Sequence, residues 1–115
     1  MAASNAPIAD ARRGARRRTL LRGRICWGPH HAISADCTIR DLSETGAQLR
    51  LPATQALPPT FALVHVSEGT AYEAALAWRR DDLAGVKFMT KHDLKASVPR
   101  ELMPLRQTWL ALAPS

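Results

Sequence analysis

The sequence predicts an all-β fold: a six-stranded antiparallel β-barrel with a flexible basic N-terminal arm and a short C-terminal helix. Three observations predict it. Six short stretches between Thr19 and Met89 either alternate in polarity or run apolar. Turn-forming residues punctuate them about every ten residues, and no long helical period interrupts them. The spacing fits a sandwich or a small barrel, and closure best protects strands this short. A chain of 115 residues, 46% hydrophobic and 23% charged, suffices for one such domain.

Residues 1–18 are small, polar or basic, offer nothing to bury and read as the arm. From Thr19, Leu21, Ile25 and Trp27 share one parity with Gly23, while Arg22 and Arg24 take the other. That is a half-buried strand, ended by Gly28-Pro29. In the second strand Cys37 and Ile39 alternate with Thr38 and Arg40. Matching inward residues sets Ile25 opposite Cys37 and turns Cys26 away, which argues against a Cys26–Cys37 disulfide. Both cysteines are expected as free thiols in a reducing cytoplasm.

After the turn Asp41-Leu42-Ser43-Glu44-Thr45-Gly46, Ala47, Leu49 and Leu51 alternate with Gln48 and Arg50. Pro52 and Pro58-Pro59 bracket a loop. Phe61 to Val66 is an apolar run broken only by His65, and Ser67-Glu68-Gly69 is a hairpin turn. Tyr72, Ala74, Leu76 and Trp78 share one parity, Asp81-Asp82 turns the chain, and Val86 and Phe88 form the last strand. The barrel thus spans residues 19–90. In the extension 91–115, Leu102, Leu105, Trp109 and Leu112 recur at helical spacing. Pro104 suits a first helical turn, so a helix is expected over 104–112, covering a barrel mouth or a sheet face.

Charge is concentrated. Residues 1–24 carry seven Arg and one acid, Asp10, for a net +6, and the remaining residues balance nine bases against nine acids. Such a segment suits an anionic partner: a phosphate ligand, nucleic acid or a membrane surface. It holds Arg and no Lys. The Arg fork binds phosphate or a guanine edge bidentately and stacks on bases.

Several function classes find no support. There is no Walker loop, no nucleophile elbow and no Cys/His spacing for a metal. His30-His31 are adjacent without further ligands and read as loop residues. His65 reads as a satisfied strand histidine. No run approaches ~20 apolar residues, so no membrane span is expected. The basic N-terminus lacks the apolar stretch of a secretory signal. A non-enzymatic cytoplasmic protein, with no cofactor and no metal, is the expectation.

Three features stand at suggestive positions: the arginines before the first strand, Asp41-x-Ser43-x-x-Gly46 after the second, and Trp78-Arg79-Arg80 followed by Gly85-Val86-Lys87-Phe88. Together they resemble the PilZ domain, a bacterial receptor module for cyclic di-GMP. That family carries RxxxR just before its first barrel strand and (D/N)xSxxG about twenty residues later. Arg12–Arg16 and Arg13–Arg17 both satisfy the first motif, as does Arg18–Arg22, whose second member falls inside the expected strand. Asp41, Ser43 and Gly46 satisfy the second motif. The resemblance covers Arg12 to Met89.

It implies a cyclic di-GMP receptor whose ligand is held by Arg12, Arg13, Arg16, Arg17, Asp41, Ser43 and Gly46, with Arg18 and Trp78 as additional contacts. The chemistry of the residues agrees. Guanine O6 and N7 accept from an Arg fork, and its N1 and N2 donors suit a carboxylate such as Asp41. Gly46 permits close backbone approach or positive φ. Signalling to a downstream protein partner is implied too. A basic-armed nucleic-acid-binding barrel is the rival, although such surfaces display more aromatics. A PilZ-like domain that acts only through protein contacts is the other.

Overall fold

The computed structural model describes residues 17–113, with side chains from Leu20 onward. Six antiparallel strands close into a barrel: β1 (Arg17–Trp27), β2 (Ile33–Leu42), β3 (Gly46–Arg50), β4 (Thr60–His65), β5 (Thr70–Arg80) and β6 (Leu83–Asp93). Around the barrel they lie in the order β1-β2-β3-β6-β5-β4. A 3₁₀ turn over Arg100–Leu102 leads into α1 (Met103–Leu112), one residue longer at its start than expected.

Strand alternation builds the interior. Ile25, Cys37, Ile39, Leu49, Phe61, Leu63, Tyr72, Ala74 and Val86 point inward and form the main core. Tyr72 and Phe88 stack there with ring centroids 3.9 Å apart. β4 is apolar on both faces because both are covered. Phe61 and Leu63 enter the barrel, whereas Ala62, Val64 and Val66 join Cys26, Leu94 and Leu105 in a second core outside it. Helix α1 covers this outer sheet face rather than a mouth. Trp109 Nε1 donates to the Val66 carbonyl at 2.8 Å, and Arg106 Nε donates to the Leu94 carbonyl at 3.0 Å. Cys26 and Cys37 are free, buried thiols, one in each core.

Two expectations about β1 are corrected. The strand starts at Arg17, not Thr19. Cys37 pairs with Gly23, and Ile25 pairs with Ala35. The cause is the short Gly28–Ala32 connection, in which a 3₁₀ turn brings Trp27 directly opposite Ile33. β2 therefore begins earlier than its alternation suggested, and the register slips by two. A slip of two keeps each residue on its own face, so the inward set survives.

Candidate functional site at the β2–β3 turn

A β-bulge determines where Asp41 points. Strict alternation from Cys37 and Ile39 would send Asp41 into the barrel. Between β2 and β3, however, Ile39 pairs with Leu49 while Asp41 pairs with Gln48, so Arg40 is an extra residue. The bulge reverses parity after Arg40. Leu42 joins the core, and Asp41 comes level with Gln48, out of phase with inward Leu49. β1 carries a matching irregularity between Arg18 and Leu21, and Leu20 is left 80% exposed.

Ser43 builds the turn that follows. Its Oγ accepts from the backbone N–H of Thr45 at 3.3 Å and of Gly46 at 3.2 Å, and also lies 3.2 Å from the Gly46 carbonyl, to which it can donate. The Ser43 N–H donates to that same carbonyl at 2.9 Å. This is the local hydroxyl-to-backbone bonding that makes serine a turn former. Phe88 N–H donates to the Thr45 carbonyl at 2.8 Å and ties the turn to β6. Gly46 pairs with Lys87, and a Cβ on Gly46 would collide with the Val86 carbonyl. Of the two roles the sequence left open for this glycine, close backbone approach is the one realised.

Trp78 is another correction to strict alternation. In β5, Leu76 pairs with Val86 and Trp78 with Gly85, so Ala77 is extra. This bulge turns Trp78 out of the interior series of Tyr72, Ala74 and Leu76. Its indole lies against Gly85, where a Cβ would meet the ring, and it remains 43% exposed. Arg79 instead serves structure. Its guanidinium donates to the carbonyls of Asp81, Gln55 and Pro52 at 3.1, 2.8 and 2.9 Å, bracing the β3–β4 loop.

The turn, β3, Trp78 and Gly85 wall a cavity of about 450 Å³, lined by Ser43, Gly46, Gln48, Trp78, Gly85 and Lys87; Asp41 is outside its lining. Among the described residues Lys87 is the charged one in its lining, which favours an anion. Gln48 was not singled out from sequence. The readable signal was its outward place on β3, one strand from Asp41 and one from Gly85.

Arg12, Arg13 and Arg16 lie outside the described residues, as do the side chains of Arg17 and Arg18. The backbone register is defined: Arg17 pairs with Leu42 and Arg18 with Asp41. Among the described residues no cluster of three or more His, Cys, Asp or Glu could hold a metal ion, and no helix is long and apolar enough to cross a membrane.

Fold and site define the class: a closed six-stranded antiparallel barrel with an acid-hydroxyl-glycine turn between its second and third strands. The family model of the PilZ domain matches residues 11–101, most of the chain, and the chain belongs to that family. PilZ domains are a cyclic di-GMP receptor family, and binding rather than catalysis is their known role. A search of curated proteins found no match.

Proposed function

We propose that the protein is a cyclic di-GMP receptor of the bacterial cytoplasm, holding its ligand between the arginines that precede β1 and the Asp41–Gly46 turn. The observation that carries this reading is the pairing of Arg18 with Asp41. It makes the exit of the arginine segment and the acidic turn neighbours on adjacent strands. Asp41 accepts from guanine N1 and N2, and the arginines supply forks for phosphate and for guanine O6 and N7. Arg12–Arg16 and Arg13–Arg17 are the two candidate pairs, and Arg18 adds a contact. Trp78, half exposed beside the cavity, offers a ring for base stacking. Ser43 and Gly46 act by shaping the turn.

Ligand binding changes the surface presented to a downstream protein partner. Titration calorimetry tests this reading. Saturable binding that is lost in Arg13→Ala/Arg17→Ala or Arg12→Ala/Arg16→Ala, and in Asp41→Ala, supports it. Absence of cyclic di-GMP binding, together with salt-dependent affinity for single-stranded nucleic acid, replaces it with the nucleic-acid reading.

A further inference from the structure

A row of paired residues crosses five of the six strands. Arg18 on β1 pairs with Asp41 on β2, Asp41 with Gln48 on β3, Gln48 with Gly85 on β6, and Gly85 with Trp78 on β5. The bulges at Arg40 and Ala77 bring Asp41 and Trp78 into this row. Side chains paired across adjacent strands stand about 5 Å apart on one face. Gln48 is therefore one strand from Asp41. Gly85 has no side chain, and the indole of Trp78 takes the space above it, which puts the ring one strand from Gln48 on the other side.

Gln48 faces outward. Ala47 and Leu49 on either side of it both pack on the main core, so the residue between them turns to the opposite face. It is half-buried and lines the cavity with Trp78 and Lys87. Among the described residues its carboxamide has no hydrogen-bond partner. An uncommitted amide, with two donors and an acceptor, thus stands between a carboxylate and an aromatic ring.

We infer that Gln48 is a specificity-determining residue of this site: its amide N–H donates to guanine O6 while Asp41 accepts from N1 and N2 of the same base. The inference rests on the cyclic di-GMP reading and adds the residue that reads the third group of the base edge. A carboxylate satisfies the two donors of that edge but repels O6, an acceptor. Gln48 supplies the donor one strand away. O6 has a second lone pair, so an arginine fork on its N7 side does not displace Gln48. Adenine places an N6 amine where guanine has O6, and its N1 is an acceptor that Asp41 cannot serve.

The test is calorimetric titration of the full chain, wild type, Gln48→Leu and Gln48→Glu, with cyclic di-GMP and with cyclic di-AMP. Cyclic di-GMP affinity should fall about tenfold in Gln48→Leu, where O6 is left unpaired, and further in Gln48→Glu, where a carboxylate faces it. Cyclic di-AMP should not weaken in Gln48→Glu, because its N6 amine can donate to the new carboxylate, so the preference for guanine narrows. The urea midpoint of both ligand-free variants should stay at the wild-type value, since Gln48 holds no other group in place. Unchanged cyclic di-GMP affinity in both variants, equal losses for the two ligands in Gln48→Glu, or losses that track a lowered urea midpoint would each overturn the inference. A wild-type chain that binds no cyclic di-GMP would instead remove the underlying reading, and this inference with it.

Discussion

The indole of Trp78 lies against Gly85, in the space a side chain at residue 85 would fill. The bulge at Ala77 makes this contact by pairing Trp78 with Gly85. The glycine therefore supports one wall of the cavity beside the β2–β3 turn. Gly85→Ala must displace the ring. Because Trp78 is partly exposed it can move, so the cost to stability should stay at about 1 kcal/mol, the low end for overpacking. Trp78 emission should change, and cyclic di-GMP affinity should fall if the ring stacks on a base. Urea unfolding followed by fluorescence, with a parallel titration, separates the two effects.

The turn itself separates shape from contact. Gly46→Ala drives a Cβ into the Val86 carbonyl, which belongs to backbone and cannot yield. A loss of about 1–3 kcal/mol is expected. Ser43→Ala removes the hydroxyl that accepts from Thr45 and Gly46 and should cost about 1–2 kcal/mol. Asp41→Ala should weaken ligand binding while leaving the urea midpoint near wild type. Equal destabilisation by all three would mean that Asp41 too is only part of the turn.

Burial pushes the thiol of Cys26 up to about 11 and that of Cys37 up to about 12. A thiol that stays protonated is a poor nucleophile. At pH 8 the native protein should react slowly with a disulfide reagent such as dithiobis(nitrobenzoate), and the two thiols should react together on unfolding. Fast reaction of one thiol in the native protein would contradict the placement of these residues in two closed cores.

Stability should fall in acid, in two stages. Burial lowers the His31 imidazole below its ordinary 6.5. The Thr70 hydroxyl, donating to Glu68 Oε1 at 2.8 Å, lowers the Glu68 carboxyl below 4.5. Both groups take up a proton more readily in the unfolded chain, so their stabilisation is complete above the unfolded values and is lost as pH falls through the folded ones. The urea midpoint should drop first below pH 6.5, then further below pH 4.5. Thr70→Val should flatten the second stage only. A midpoint that is constant or rises between pH 6.5 and 4 would refute this assignment.

How far the fold could be read from sequence depends on bulges. The interior residues of β1 and β4, the turn at Ser67–Gly69, the free cysteines and the helix were all legible, because parity and helical spacing survive small errors in register. The facing of Asp41 and Trp78 was not. Each follows one extra residue, Arg40 or Ala77, and a bulge has no side-chain signature that reverses an alternating pattern. The double role of β4 was not read: its apolar run, broken only by His65, marked a buried strand but not that α1 covers its outer face. Ser43 and Gly46 were legible as turn residues from their chemistry, whereas Asp41 joined them as a set through the resemblance to the PilZ motif. That the strand ending at Asp41 runs beside the strand after the arginines was legible; that Arg18 is the residue level with Asp41 emerges only once the strands are registered.

The most direct measurement is calorimetric titration of the whole chain with cyclic di-GMP, run beside the Arg12→Ala/Arg16→Ala, Arg13→Ala/Arg17→Ala and Asp41→Ala variants. The account predicts saturable binding at micromolar Kd or tighter for the wild type. It predicts at least a tenfold loss in Asp41→Ala and in one of the arginine pairs, a deficit of about 1.4 kcal/mol or more. No heat and no shift in melting temperature at ~100 μM ligand, a concentration far above a micromolar Kd, would contradict it.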